Sequence, residues 1–582
     1  MRILGIHDSH NAAAALLEDG KLIAAVQEER LTREKNQYGI PRLAIQDILA
    51  MTGLGLQDID YFAFPSRYLT FTLAGNRDTL LRAFAEAHYT PRWRLRTGAL
   101  QTTAGRSLWE RTHLAARQRV IAEAGFALNR VRLIDHHLAH AAAAYYGWGK
   151  LEEPTLVLTV DASGDRLTAT VNTAQRGQIR RIAAISDDDS LGYLYAIVTY
   201  LMGMMPVEHE YKLMGLAPYA GDAPQVRKLA DAFARLYTFD RQNPLIWRRA
   251  AGVPPIQVAT DQIKAILERQ RFDHICGGLQ LFFEEFLTRW VQNCVGHTGI
   301  RRVALSGGVF MNVKANMEIL NLPEVEELFI FPSCGDESNA IGAAYAAYVE
   351  AGSAERAPIA PLGPLYLGQE LTDAQAQAAL AAFKFSRPVT WTLHEDIEAH
   401  IATLLAEGHI VARAKGRMEF GARALGNRSI LADPARPNVV RVINDMIKMR
   451  DFWMPFAPVV RAEGSETYML KPKPMPAPYM IITFDVRPEK RGEMQAALHP
   501  YDWTARPQEI ARDWNPDYWR ILERFEALTG RGCLLNTSFN LHGYPIVYSA
   551  KDALEVFENS GLEYLALGNY MVRKEPTTAP PS

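Results

Sequence analysis

The chain of 582 residues is too long for one hydrophobic core, and its length predicts roughly three or four domain-sized units. Its 63 basic and 65 acidic side chains nearly cancel, which excludes a global electrostatic attraction to nucleic acid or to a membrane surface. The composition, 48% hydrophobic and 22% charged, reads as globular; Cys276, Cys294, Cys334 and Cys533 lack the C-x-x-C spacing of a zinc or redox motif, which fits a reducing, cytoplasmic setting.

MRILGIHDSH reaches a histidine and an aspartate after six residues, too early for the apolar region of a signal peptide. RILGIHD, NAAAALLEDG and KLIAAVQEE read as three strands, the last two joined by a hairpin at Asp19-Gly20. A similar meander returns after residue 154 as TLVLTVDASGD, RLTATVNTAQRGQ and IRRIAAISDD. In both copies the first strand ends in a polar turn, at His7-Asp8 and at Asp161–Asp165, so an internal duplication is expected. Duplicated βββαβα halves with acidic, glycine-containing turns characterise the actin and sugar-kinase (ASKHA) type of fold, where nucleotide phosphates sit between the halves; two unrelated hairpins are the bland alternative.

Between the copies, residues 92–119 carry seven arginines and two tryptophans. Arginine interleaved with aromatics is a pattern of RNA binding, but a substrate-facing or subunit-facing helical insertion is the preferred reading. DHHLAHAAAAYY (135–146) follows. His136 and His140 are four apart on an alanine-rich helix and share a face, the spacing of a metal site; His137, three before His140, is the alternative ligand. The apolar stretch 193–207 is shorter than the roughly 20 residues of a membrane helix and reads as a buried one.

A long amphipathic stretch, 277–300, precedes the strand RRVALSGG, and 330–352 reads as strand, Gly-Asp turn and alanine-rich helix. Strand, glycine turn, helix aims backbone amides at phosphate oxygens, and it occurs twice, at Ser306-Gly307-Gly308 and at Gly335-Asp336. The Pro/Gly/Ser-rich stretch near 353–370 is expected to link a first domain, 1–352, to a second, 371–575, with a disordered tail at 576–582. In the second domain Lys415, Arg417, Arg423, Arg428, Lys448, Arg450 and Arg461 lie near glycines, asparagines or strand ends, which suits a small phosphorylated ligand; pairing with Glu419, Asp433, Asp445 and Asp451 is the structural alternative. Ser538 and Asn540 offer neutral groups able to read an amide or to cap a turn.

In order and across almost the whole chain, HNAAAALLEDGKLIAAVQEERLTREK, DHHLAHAAAAYY, EYKLMGLAPYA, LSGGVFMNVKAN, GDESNAIGAAY, RMEFGARALGNRSILADP, KMRDFWMPFAP and NTSFNLHGYPIV resemble the NodU/CmcH O-carbamoyltransferases. The resemblance implies an α/β protein with a duplicated ASKHA-fold N-terminal domain and an α/β YrdC-like C-terminal domain whose K-x-R and S-x-N signatures are Lys448-Met449-Arg450 and Ser538-Phe539-Asn540. It implies that the second domain binds carbamoyl phosphate through Lys415, Arg417, Arg423, Lys448, Arg450, Ser538 and Asn540 and, with ATP and Mg2+, forms carbamoyl adenylate. The first domain then passes the carbamoyl group to a hydroxyl of a small natural product and releases AMP. By motif, His136, His140, Asp161 and Asp336 hold a divalent metal, Fe2+ favoured over Zn2+ or Mn2+; His10 is the base; Ser306, Gly307, Gly308, Asn312 and Gly335 serve the nucleotide.

Asn11 stands where the family usually has aspartate, although Asp8 lies close by in sequence, so the motif position itself supplies no carboxylate partner for His10. Ala422, Met454 and Tyr544 also depart from the usual proline, arginine and glutamate. The expected partners are a hydroxylated small molecule, carbamoyl phosphate and ATP, without nucleic acid or membrane, and a homodimer is allowed for. The competing readings are a tRNA threonylcarbamoyl-type enzyme and a nucleotide-binding protein without catalysis.

Overall fold

A computed structural model describes residues 1–69, 77–90, 102–352, 357–448 and 451–575, without the side chains of Arg77, Met446 and Lys448. Residues 92–101 of the arginine-rich segment, the tail 576–582, the Lys448 side chain and Arg450 therefore lie outside the described residues. The chain forms two compact units, Met1–Glu28 with Asn36–Leu362, and Glu29–Lys35 with Gly363–Ser582.

The first unit opens with β1 (Arg2–His7), β2 (Ala13–Glu18) and β3 (Lys21–Gln27), followed by β4 (Tyr61–Pro65) and β5 (Val131–Ile134). β1 and β2 are apolar and buried almost throughout, as strands covered on both faces must be. The second copy runs β6 (Thr155–Gly164), β7 (Leu167–Gln175) and β8 (Gln178–Ser186). A small hairpin, β9 (Tyr237–Phe239) and β10 (Trp247–Arg249), precedes β11 (Arg302–Ser306) and β12 (Glu327–Ile330). The two main sheets have the orders β3-β2-β1-β4-β5 and β8-β7-β6-β11-β12, in each case an antiparallel meander continued by two parallel strands. This doubled order is the ASKHA architecture. Asp19-Gly20, Asp165-Arg166 and Arg176-Gly177 all have positive φ, the twist that tight hairpins require.

Each sheet is followed by a helix of small residues that packs on the other sheet: His136–Trp148 on β6 and β11, and Asn339–Ala351 on β1, β2 and β4. Gly342 makes their crossing possible, since a Cβ there would lie 1.9 Å from the Ala139 carbonyl oxygen. The Asp135 side chain caps the first helix by accepting from Leu138 N at 2.9 Å, a contact worth about 1 kcal/mol. The buried helix expected over 193–207 spans Leu191–Leu201, and the amphipathic stretch lies in the helix Phe272–Thr298. No helix among the described residues is long and apolar enough to cross a membrane.

The second unit is built on an eight-stranded mixed sheet in the order Val389–Leu393, Tyr570–Lys574, Tyr564–Leu567, Val411–Ala414, Arg428–Ala432, Cys533–Ser538, Ala457–Arg461 and Gln508–Ile510. Helices Asp373–Ala382 and Ala550–Glu558 share one core with it, and Ile397–Glu407 and Pro516–Thr529 share another. Residues 29–35 belong to this unit because Arg33 donates to the carbonyls of Pro545 and Ile546 at 2.9 and 2.7 Å and Arg30 donates to that of Gly421 at 2.6 Å.

Candidate metal and carbamoyl-transfer site

The close crossing of the two small-residue helices sets their N-terminal turns beside the ends of β6 and β11. His136 and His140 project from one face of the first helix, and both are buried. Asp161 enters from β6, whose register shifts between Val160 and Gly164. Thr168 Oγ1 donates to the Asp161 carbonyl (2.5 Å) and Ser190 Oγ to the Ala162 carbonyl (2.7 Å), which holds the irregular stretch in place. Asp336 follows the Gly335 turn ahead of the second helix.

His136 Nε2 lies 3.1 Å from Asp161 Oδ2 and 3.5 Å from Asp336 Oδ1; His140 Nε2 lies 3.3 and 3.4 Å from the same oxygens. The four donor atoms lie within 4.8 Å of one another. Ligands about 2.1 Å from an ion stand about 3.0–3.4 Å apart along octahedral or tetrahedral edges, so the set is spaced as a first coordination shell. Asp336 Oδ1 is buried, has no hydrogen-bond partner, and faces both imidazoles. A cation satisfies that oxygen, so the residues present fit a divalent metal. Ser306 Oγ, 3.2 Å from His140 Nδ1, leaves Nε2 to face the carboxylates.

The electrostatics agree with this arrangement. Burial alone would lower His136, but Asp336 and a hydrogen bond with Asp161 outweigh it and hold the imidazole up at about 9. Asp336 is held well below the carboxylate range despite burial, because His136, His10 and His140 face it. The site thus carries a negative potential that favours added positive charge. His137 points the other way. Its Nδ1 meets Thr159 Oγ1 at 2.8 Å and its Nε2 the Leu167 carbonyl at 3.0 Å, which makes it a satisfied core histidine pushed down to about 3 by burial.

His10 Nδ1 stands 3.5 Å from Asp336 Oδ2, the oxygen turned away from His136 and His140. Asp8, the carboxylate near His10 in sequence, is instead gripped by Arg117, whose Nη2 donates to Asp8 Oδ1 at 2.8 Å in a fully buried pair. The carboxylate partner of His10 therefore comes from Asp336, not from Asp8. His10 also borders a narrow pocket with Tyr38, Leu80, Met205 and Glu208.

Among the expected nucleotide residues, Gly307 and Gly308 lie against Val160 and Asp161; a Cβ on Gly308 would sit 2.9 Å from Asp161 Oδ1. Asn312 caps the helix Val313–Asn321 through Ala315 N (3.1 Å) and exchanges hydrogen bonds with Gln280 at 2.9 and 3.0 Å. In the second unit Lys415 pairs with Glu398 (2.6 Å) and Asp517 (3.0 Å), and Arg417 donates to the Gly368 and Leu367 carbonyls (both 3.0 Å). Ser538 Oγ donates to Asn540 Oδ1 at 2.6 Å, while Asn540 Nδ2 donates to the Tyr544 and Leu541 carbonyls at 2.7 and 2.8 Å. Arg428 donates to the Tyr548, Gly416 and Asn427 carbonyls and Arg461 pairs with Glu463 and Glu526, so Lys415, Arg417, Arg428 and Arg461 all have partners within the protein, while Lys448 and Arg450 fall outside the described side chains.

Family models match the chain twice, "Carbamoyltransferase N-terminus" over residues 2–345 and "Carbamoyltransferase C-terminus" over residues 402–574. The chain belongs to the carbamoyltransferase family. This carbamoyltransferase is 33% identical to an uncharacterized protein of Synechocystis sp. over 98% of its own length and 96% of the relative's. It is 32% identical to nodulation protein NolNO of Sinorhizobium fredii over 97% of this chain and 79% of that protein. Nodulation protein U of Rhizobium tropici matches at 25% identity over 95% and 93% of the two chains. The resemblance to the NodU/CmcH enzymes is thereby borne out, and the protein is an enzyme of carbamoyl transfer. Full-length HypF in its phosphate- and nucleotide-bound form covers 61% of this chain and 56% of that one at 13% identity and a TM-score of 0.38; the doubled sheet order, not this likeness, assigns the fold.

Several groups that shape this candidate site escape sequence reasoning. A Cβ on Gly164 would lie 2.0 Å from His136 Cδ2, so the ring needs a glycine opposite it. Asp165 accepts from His136 N at 2.9 Å and from Ser66 Oγ at 2.8 Å, tying the helix start to a loop. Asn339 Nδ2 lies 3.0 Å from His140 Nε2. Asp165 belongs to the acidic turn after β6, and that was its only signal; Gly164 and Asn339 become visible only once the strands and helices are packed.

Proposed function

We propose that the enzyme hydrolyses carbamoyl phosphate to carbamate and phosphate, joins the carbamate oxygen to the α-phosphorus of ATP with loss of pyrophosphate to give carbamoyl adenylate, and transfers the carbamoyl group to a hydroxyl of a small acceptor. The observation that carries this reading is the sharing of Asp336 between an imidazole bordering a narrow pocket, His10, and a four-residue set with the spacing of a metal shell. His136, His140, Asp161 and Asp336 would hold a divalent ion, with iron, zinc and manganese all compatible with two nitrogens and two oxygens. When bound, that ion supplies positive charge to offset the charge that develops on the adenylate phosphate and the carbonyl oxygen.

His10 takes the acceptor hydroxyl proton as the oxygen attacks the carbamoyl carbon, and AMP leaves. Asp336 Oδ2 orients the His10 ring through Nδ1, which leaves Nε2 as the basic atom. Leu80, Met205 and Pro206 line the narrow pocket beside His10 and offer an apolar contact to the carbon frame of a small acceptor. Backbone groups at Gly308 and Gly335, where side chains are absent, are assigned to nucleotide phosphate, while the Gly307 N–H already donates to the Cys334 carbonyl at 3.1 Å. Carbamoyl phosphate is assigned to the second, YrdC-like unit, at Arg423 and the Ser538–Asn540 pair together with Lys448 and Arg450.

The test is incubation of the full chain with ATP and carbamoyl phosphate. Release of pyrophosphate that requires both, with the carbamoyl carbon recovered on AMP, is expected; consumption of carbamoyl phosphate without pyrophosphate overturns the adenylate route.

A further inference from the structure

His7 takes no part in the reading above, yet it completes a second cluster. The donor atoms of His7, His10 and Asp336 lie within 4.8 Å of one another. His7 Nε2 donates to the His10 carbonyl at 2.9 Å. That leaves Nδ1 as the lone-pair nitrogen, and it is buried without a hydrogen-bond partner on a side chain only 1% exposed. An imidazole that spends one nitrogen on a backbone carbonyl and keeps the other bare is oriented as metal-ligating histidines are. Asp336 supplies the geometry for a second ion. Oδ1 faces His136 and His140, while Oδ2 faces His10 at 3.5 Å, about the edge expected for two ligands of one tetrahedral ion. The carboxylate is thus placed to bridge two positions, as in two-metal centres.

We propose that a second divalent cation binds at His7, His10 and Asp336 and inhibits the enzyme. Three protein ligands, two nitrogens and one oxygen, suit zinc, with the remaining position taken by water. The inhibition follows from competition, because an ion held on His10 and Asp336 displaces the base from the orientation that presents it to the acceptor hydroxyl. The inference rests on the assignment of His10 and of the first metal set, and predicts activity that rises with metal and then falls.

Zinc is the probe. The full chain is equilibrated with graded zinc, and bound metal is measured by elemental analysis after dialysis, in parallel with carbamoyl transfer. Wild type is expected to bind two zinc ions per chain, the second with loss of activity. His7→Gln, whose amide still donates to the His10 carbonyl, is expected to bind one ion and to move the inhibitory midpoint at least tenfold upward. His140→Ala is expected to lose the other ion. One equivalent in wild type with no inhibition by excess zinc, or two equivalents in His7→Gln, overturns the second site and leaves the first intact. One equivalent lost in His7→Gln but kept in His140→Ala overturns the first-site assignment instead. If His7→Gln does not fold, wild type carrying two equivalents of manganese decides: an exchange-coupled paramagnetic spectrum supports a shared carboxylate, and two uncoupled ions overturn it.

Discussion

The two copies of the strand meander share one backbone plan and carry opposite chemistry. The first copy delivers nitrogen, with His7 and His10 at the end of β1 and His136 and His140 on the helix after β5. The second delivers oxygen at the corresponding places, with Asp161 at the end of β6 and Asp336 ahead of the helix after β12. Neither copy alone offers a charge-balanced shell for a divalent ion. The comparison teaches that symmetry of the fold supplies matched positions around one point, while divergence of the side chains makes that point a mixed donor site.

The largest effect should come from Asp336→Asn, which replaces the carboxylate that both imidazole pairs share by a neutral amide with a single, weaker oxygen donor. Metal content should fall below one ion per chain and kcat by on the order of 10^3-fold, followed by elemental analysis beside a transfer assay. A variant retaining both metal and turnover would break the nitrogen-versus-oxygen division. His10→Ala should instead keep the ion held by His136 and His140, lose only the second, inhibitory one, and lose on the order of 10^2–10^3 in kcat, separating the base from the first ion's ligands within the first copy. Loss of that first ion along with activity would place His10 in the primary shell.

Gly164→Ala is next in size. The new methyl would sit 2.0 Å from the His136 ring, so metal affinity should drop on the order of 10–100-fold. Gly296→Ala, where a Cβ meets open space on a helix, should leave affinity unchanged. Equal behaviour of the two would mean that His136 orientation does not matter.

The smallest effect concerns His137, the first-copy histidine turned into the core. Burial keeps it unprotonated down to about 3 in the folded protein, while an unfolded histidine takes its proton near 6.5. The unfolded state binds more protons between those values, so stability is lost as pH falls through that window. His137→Gln should flatten the acid limb of a denaturant-midpoint profile below about pH 6.5. An unchanged slope would assign acid sensitivity to other groups.

Much of the first unit was legible because its signals are local. Asp19-Gly20 reads as a tight hairpin from two residues, and the spacing of His136 and His140 needs only the helical repeat. The choice between His136 and His137 was not legible, since one step along a helix turns a side chain by about 100° and only the packed sheet says which face is core. Asp8, the carboxylate nearest His10 in sequence, is the reverse case. Nearness does not make it the partner, since Arg117, 109 residues away, claims its carboxylate. In the second unit, nearby charges suggested one phosphate cluster, whereas Glu398 and Asp517 reach Lys415 from two helices that sequence order keeps apart.

By itself the amino-acid sequence determined the repeated meander, the helical histidine pair and, through eight ordered motifs, membership of the carbamoyltransferases. Only the tertiary structure decided that Asp336 serves His10 as well as His136 and His140, that His137 belongs to the core, and that residues 29–35 pack with the second unit. The reason is range. Turns and helical faces are set within a few residues, whereas a shared carboxylate oxygen is a meeting of atoms from strands and helices hundreds of residues apart.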